Sequence, residues 1–354
     1  MPWQIIDQNK ATPWNEKLKS TAAEFCQYPY YISSEYSSFF SKPVFLQFIE
    51  TDNPVAYCAI IEIGKWPFKF GVIDCGPILL SEIVNLKILL DELKMFARSR
   101  HFLYLQIRPA NDSSFIELLE NDSSIKKQLF FPYHQKVEYD LNIYNKPEPE
   151  LLAGFKIQCR RKIVLANREP FEFKKITDVS ELKVVKDLFK KVIDTKGYAL
   201  LPFHVYENMF IKGSAYGLCD IYVAYLHGKM VNAVLVVKDS ISAYHYISGL
   251  VVDGFKANES PPAKLHLFVM QDAFYNEHKQ FYNMSYGGND NLIRFKELFN
   301  PVAIKKSDYY TYVINKTMLK SFSMLSSKSA YVIRKIFRNF NNSFLNPFRN
   351  LDQH

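Results

Sequence analysis

The chain has 354 residues, which at about 100–200 residues per domain points to two domains. Hydrophobic residues make up 48% and charged residues 23%, which excludes a mainly disordered chain, and only 12 glycines exclude collagen-like and Gly-rich linker classes. The net charge is +8, but from Lys316 onward seven Lys/Arg face only Asp352, a net +6, so residues 1–315 carry +2 and do not read as a general polyanion binder.

Val44–Ile49 and Val55–Ile63 read as strands on either side of the turn residues Thr51-Asp52-Asn53-Pro54. A further strand, Phe70–Cys75, is broken by Gly76-Pro77. Leu86, Leu89, Leu90, Leu93, Phe96 and Ala97 then recur at helical spacing. Leu103, Leu105 and Ile107 alternate with Tyr104 and Gln106, a half-buried strand ended by Pro109. The second half repeats this order. Leu182, Val185, Leu188, Phe189 and Val192 form a helical stripe. Ile221–Leu226 and Met230–Lys238 flank the tight turn His227-Gly228-Lys229, and Ile241–Ile247 follows. After Pro261-Pro262, the spacing of Ala263, Leu267, Met270 and Phe274 predicts a helix. Phe281–Tyr286 is a strand closed by Gly287-Gly288, and Tyr309–Ile314 is a last strand. Pro147 and Pro149 mark Asn142–Glu150 as the linker. The repeat is one of element order, without visible residue identity between the halves.

Met318–Phe344 contains no Gly or Pro. Leu319, Phe322, Leu325, Ile336, Phe340 and Phe344 fall in one sector of a helix, and Lys320, Lys328, Arg334, Lys335 and Arg338 on the other side. Two readings stay open for residues 318–344: docking on an anionic inner membrane leaflet, or a terminal helix lying on its own domain. The five cysteines are odd in number, widely spaced and form no C-x-x-C pair, which reads as reduced thiols in a cytosolic protein without a zinc framework. The first residues lack a basic start followed by an apolar run, and no stretch of about 18 apolar residues predicts a membrane span.

No P-loop, H-E-x-x-H or G-x-S-x-G motif is present. His245, between Tyr244 and Tyr246 on a strand, reads as packed or hydrogen-bonded rather than a ligand. His266 and His278 do not have zinc spacing, and no metal is expected. The densest polar cluster runs from Ser285 to Pro301. In it two glycines end a strand, Asn289, Asp290 or Asn291 can cap a helix, and Phe295 and Phe299 can pin that helix to the core. Taken alone, the cluster also fits a capped surface helix with solvated cations.

The same cluster resembles the signature of the FemAB-type (FemABX) aminoacyl- and acyltransferases, built from two tandem GNAT-like domains. The residues that carry the resemblance are Tyr286-Gly287-Gly288 and Arg294-Phe295-Lys296-Glu297-Leu298-Phe299. Cys75-Gly76-Pro77-Ile78, Leu105-Gln106-Ile107-Arg108-Pro109, Tyr139-Asp140-Leu141, Arg160-Arg161-Lys162-Ile163 and Ala224-Tyr225-Leu226-His227-Gly228-Lys229 are similar to further family segments, in the same order. The likeness covers roughly residues 35–315. Ser285-Tyr286 stand where the family often has an acidic residue, and the second half lacks the [RQ]-x-x-G-x-[GA] loop. The donor therefore stays open between acyl-CoA and aminoacyl-tRNA.

The resemblance implies an α/β (α+β) fold of two tandem GNAT-like domains, each a mixed, mostly antiparallel sheet flanked by helices. The expected limits are 1–145 for the first, 146–315 for the second, donor-binding domain, and 316–354 for the amphipathic tail. It implies transfer of an acyl or aminoacyl group to an amine of a cell-envelope precursor, peptidoglycan or surface polysaccharide. Lys296 is implied as the cation that neutralises the developing oxyanion or orients the donor carbonyl, with Arg294 second. Tyr286, Gly287 and Gly288 are implied to line the substrate site, and Tyr246, on its strand, either faces that cleft as a substrate-binding residue or belongs to the core. Arg160 and Arg161 either bind an anionic acceptor, such as a nucleotide-sugar or lipid-linked pyrophosphate, or form a solvated cationic turn. The loop Asn258–Pro262 would offer N–H groups to a phosphate. Two other readings stand beside this one: a tRNA-dependent aminoacyl transferase, against which the near-neutral body argues mildly, and a non-enzymatic GNAT-like scaffold at the membrane. The expected place is the cytoplasm, peripheral on the inner leaflet.

Overall fold

Thr51 and Asp52 both take positive φ, 46° and 67°, as do His227 and Gly228, 48° and 72°. Two successive left-handed residues make a hairpin turn whose twist matches the flanking strands. These two turns set the long hairpins around which each half of the chain is built. The structure, a computed structural model, describes residues 3–38, 41–81, 84–110, 112–127, 137–196, 201–250, 261–285 and 290–319.

In chain order the first unit contains β1 (Trp3–Ile6), α1 (Gln8–Ala11), α2 (Trp14–Lys17), α3 (Pro29–Glu35), β2 (Ser41–Glu50), β3 (Asn53–Ile63), β4 (Phe70–Ile73), β5 (Ile78–Leu79), α4 (Leu86–Ser99), β6 (Tyr104–Ile107), α5 (Ser113–Asn121) and β7 (Ile125–Lys127). The second contains β8 (Val137–Asn142), α6 (Glu148–Gly154), α7 (Ile157–Ala166), β9 (Phe171–Lys175), α8 (Leu182–Lys196), α9 (Phe203–Ser214), β10 (Cys219–Leu226), β11 (Lys229–Lys238), β12 (Ser242–Leu250), α10 (Pro261–Tyr275), β13 (Phe281–Asn283), α11 (Asp290–Glu297) and β14 (Val302–Lys305). β15 (Tyr310–Val313) then belongs to the first unit again.

The two sheets follow one plan. The first has the order β1-β2-β3-β4-β6-β15-β7, with β5 against β3; the second has β14-β8-β13-β12-β11-β10-β9. Each is antiparallel except for one parallel pair, β4 with β6 and β12 with β13. A helix, α4 or α10, joins the two strands of each parallel pair, as a parallel connection requires. This is the α+β fold of two mixed, mostly antiparallel sheets that the resemblance implied.

Local chemistry explains the helices that matter. Asn85 caps α4 by accepting from the Ile88 N–H at 3.1 Å, and Leu89, Leu90, Leu93, Phe96 and Ala97 bury its apolar stripe. In α10, buried Ala263, Leu265, Leu267, Val269 and Met270 leave no single polar face, so this helix is embedded. On one face of the second sheet, Val236 and Ala243 share a core with Leu265 and Met270 of α10 and Ile163 of α7. On the other face, a Cβ at Gly249 would lie 2.9 Å from Phe189 and 3.0 Å from Leu188 of α8.

The unit limits differ from those expected. One unit takes residues 1–134 and resumes at 307; the other takes 135–306. β8 pairs with β13 and β14, so the second unit begins before residue 145. β15 pairs with β6 and β7, so the chain returns to the first sheet before 315. Asn142–Glu150, expected as a linker, lies inside the second unit, where Pro147 and Pro149 start α6. Proline marks a break in the chain, and here the break is a helix start. Residues 316–319 begin a helical turn, with the Asn315 Oδ1 accepting from the Met318 N–H at 2.9 Å. The rest of the basic tail, and so the choice between its two readings, lies outside the described residues.

Candidate active site

β12 and β13 pair only at Ser242–Tyr244 with Phe281–Asn283. β12 continues to Leu250 while β13 stops, so the two strands part after Tyr244. In α/β sheets the crevice beyond the carboxyl ends of parallel strands is where ligands bind. At the same point β12 is bulged: Val236 pairs with His245 and Leu235 with Ile247, leaving Tyr246 as the extra residue. The bulge shifts the alternation. Ala243 and His245 face α10, whereas Gly249 faces α8.

Ser285, two residues past β13, ties the parted strands to α11. Its backbone is left-handed, φ 54°, a strained conformation for a non-glycine residue. Three bonds hold it there. The Ser285 N–H donates to the Asn283 side-chain oxygen at 2.6 Å, its hydroxyl donates to the His245 carbonyl at 2.7 Å, and its carbonyl accepts from the Lys296 ammonium at 3.1 Å. Asn283 is itself fixed, donating to Glu138 at 2.7 Å and to Asp140, both on β8.

Lys296 is 3% exposed, and burial lowers its pKa from 10.5 to about 8. Phe295 and Phe299 pin α11 as their spacing predicted. Phe299 is fully buried, its ring 5.1 Å from Phe155 and 5.7 Å from His266. Two buried imidazoles complete the site. His266 of α10 has Nδ1 2.6 Å from the Tyr282 hydroxyl, and its ring meets that of His245 at 4.9 Å. Burial, reinforced by the Lys296 charge, lowers the His266 pKa to about 3. The same burial, then the His266 and Lys296 charges, hold His245 well below the usual histidine value. Both rings are therefore neutral near pH 7. The His245 ring is 6% exposed, and a bond to the Met284 backbone partly offsets the lowering. His245 is thus a packed residue of the strand, as its sequence setting suggested.

The other expected residues fall elsewhere. Arg294 is exposed on α11, since two residues rotate a helix by about 200° and put it opposite Lys296. Tyr246 packs at 6.1 Å against Tyr206 of α9. Arg160 and Arg161 lie on α7, a helix and not a turn; Arg160 donates to the Ala153 carbonyl at 3.1 Å, closing the end of α6, and Arg161 is exposed. Tyr286, Gly287 and Gly288, and residues 258–260 of the expected phosphate loop, lie outside the described residues. Sequence reasoning did not find His266, Tyr282 or Ser285. His245 and His266 are 21 positions apart, and only the crossover helix brings them together.

At the opposite end of this sheet, Asp220, Asp272 and Glu277 bring their oxygens within 4.8 Å of one another. Two ammonium groups already serve them: Lys175 lies 2.6 Å from both Asp220 and Glu277, and buried Lys238 pairs with the same two residues. That cluster is a buried ion network joining β9, β10, β11 and α10. In the first unit, Cys26 and Cys75 come together with Glu24, their ligand atoms within 4.8 Å. Burial pushes the Cys26 thiol up to about 11 and Cys75 well above its ordinary value, so both are held as thiols.

No family model matches the sequence, and no curated protein matches it. Solved structures do match. FemX superimposes with a TM-score of 0.73 at 14% identity, covering 90% of this chain and 99% of FemX. L-PGS from Bacillus licheniformis gives 0.56 at 14%, covering 92% and 97%. A tandem GNAT protein from the clavulanic acid biosynthesis pathway gives 0.50 at 9%, covering 87% and 97%. The chain therefore shares its fold with FemX and with a tandem GNAT protein.

Proposed function

We propose that the protein is a GNAT-type transferase that moves an acyl or aminoacyl group onto an amine of a cell-envelope precursor. The observation that carries this reading is the buried Lys296 ammonium, held by Ser285 where β12 and β13 part. The fold shared with FemX, L-PGS and a tandem GNAT protein supports it.

In this reading the donor is an acyl-CoA or an aminoacyl-tRNA and lies along the parted strands. The acceptor amine attacks the donor carbonyl, an N–C bond forms, the C–S or C–O bond to the carrier breaks, and the nitrogen gives up one proton, to solvent or back to Lys296 once that has protonated the leaving group. Charge grows first on the carbonyl oxygen and then on the leaving sulfur or ribose oxygen. A buried cation aimed at that charge, in a site that excludes water, is worth several kcal/mol. With a pKa of about 8, Lys296 is still mostly an ammonium at neutral pH. It is also acidic enough to give a proton to the leaving group. The substrate-binding roles of Tyr246, Tyr286, Gly287, Gly288, Arg160 and Arg161 remain part of this proposal, with Arg294 as an exposed second cation. The basic tail would hold the enzyme at the inner leaflet.

Melting curves with acetyl-CoA and with charged tRNA test the donor, because a ligand that binds the folded state raises the melting temperature. A shift with one of them assigns the donor. No shift with either, and no copurifying CoA species or nucleotide-sugar by mass spectrometry, would favour the scaffold reading.

A further inference from the structure

Trp66 is 80% exposed, whereas Trp3 and Trp14 are 4% and 3% exposed. A bare indole beside cations marks an interaction surface. It stands in the loop of residues 64–69 between β3 and β4. Gly64 takes φ 87°, and a Cβ there would lie 2.2 Å from the Phe68 carbonyl oxygen. The Phe68 N–H donates to the Lys65 carbonyl at 2.7 Å. The loop is thus a defined tight turn that carries Trp66 at its tip.

Beside it lies an open cleft of about 440 Å³, lined by Lys42, Lys65, Lys69, Arg100 and His101 around Glu62. Glu62, 5% exposed, accepts from the Arg100 guanidinium at 2.6 Å and lies 3.7 Å from Lys69. One carboxylate thus lies among four basic side chains, a formal +3, more than the +2 net of residues 1–315 together. Burial, with Arg100 and Lys42 close by, holds the Lys69 ammonium below its ordinary value. The cleft thus collects basic side chains in excess around Glu62.

We propose that the loop of residues 64–69 docks the first unit on an anionic lipid surface, with Trp66 in the headgroup layer and Lys42, Lys65, Lys69 and Arg100 over the lipid phosphates. An indole is suited to that layer, with an apolar body and one polar N–H. Trp66 itself lines the cleft, so the indole and the basic side chains share one surface. This inference does not depend on the transferase reading.

The full-length protein is mixed with vesicles of equimolar phosphatidylglycerol and phosphatidylcholine, or of phosphatidylcholine alone, with and without brominated acyl chains. The tail contains no tryptophan and the other two are buried, so bromine quenching reports Trp66. The expected result is quenching and a blue shift on the anionic vesicles only. Trp66→Ala should lower partitioning about tenfold by removing buried apolar area, and Lys42→Gln or Lys65→Gln about fivefold each. Absence of quenching on anionic vesicles in the wild type would overturn the proposal without any variant. So would unchanged partitioning of a folded Trp66→Ala protein, or quenching by millimolar ADP but not by vesicles.

Discussion

Lys296 and His245 are joined through a single residue: the Ser285 carbonyl accepts from the Lys296 ammonium at 3.1 Å, and the Ser285 hydroxyl donates to the His245 carbonyl at 2.7 Å. The joint sits at the first unpaired step of β12 and β13 and fixes a cation where the crevice begins. It also gives the site a measurable energetic signature.

Burying Lys296 is costly for folding. Lowering its pKa from 10.5 to about 8 by burial corresponds to about 3 kcal/mol at pH 7. Lys296→Met removes the buried charge and leaves the Ser285 carbonyl without its donor, a loss of about 1 kcal/mol. The variant should be about 2 kcal/mol more stable in urea unfolding while losing transfer activity about 100-fold or more.

Lys296 should also set an upper pH limit. If the ammonium is the active form, kcat falls as pH rises through about 8. Over the same range the sign for stability is opposite. Between about pH 8 and 10.5 the unfolded chain holds a proton that the folded chain does not, so stability rises with pH. A pH–rate profile paired with a pH–stability profile separates the two effects.

The acid limit belongs to the imidazoles. Both His245 and His266 are depressed, the latter to about 3. Below the unfolded value of 6.5 the unfolded chain binds protons that the folded chain refuses. Stability is therefore lost as pH falls from about 6.5, by up to about 1.4 kcal/mol per unit for each ring. His266→Phe should flatten that slope in urea titrations between pH 6 and 4, a range chosen from these shifts.

Asn283 is a positioning residue. Its side-chain oxygen holds the Ser285 N–H at 2.6 Å, and it touches no reacting atom in this reading. Asn283→Ala should lower kcat by roughly tenfold with little change in KM. Loss of KM alone, or of neither, would assign Asn283 a purely structural role.

In the first unit, the Arg108 guanidinium pairs with Asp74, both nearly fully buried. Arg108→Met leaves that carboxylate without its cation and should cost about 3–5 kcal/mol. Urea unfolding of the variant beside the wild type reads that loss.

The sequence made the elements legible wherever local chemistry decides them. The turns at Thr51-Asp52 and His227-Gly228 and the α4 stripe from Leu89 to Ala97 are read from neighbours in the chain, and the structure has them there. Strand pairing is not local. β15 completes the first sheet from the far end of the chain, and β8 opens the second, so a linear reading placed both unit limits too late. The site divides in the same way. Lys296 was legible because the R-F-K segment is contiguous and Phe295 and Phe299 fix its helical face. Ser285, Tyr282, His266 and the buried ring of His245 meet only after α10 crosses the sheet, and Arg294, adjacent in the motif, turns away to solvent.

The most direct test is a transfer assay with radiolabelled acetyl-CoA or charged tRNA and an amine-bearing envelope precursor, comparing wild type with Lys296→Met and Arg294→Gln at pH 7. The account predicts transfer by the wild type, a loss of about 100-fold or more in folded Lys296→Met, and most of the activity kept in Arg294→Gln. Equal transfer by Lys296→Met, or no transfer by the wild type from either donor, would contradict it.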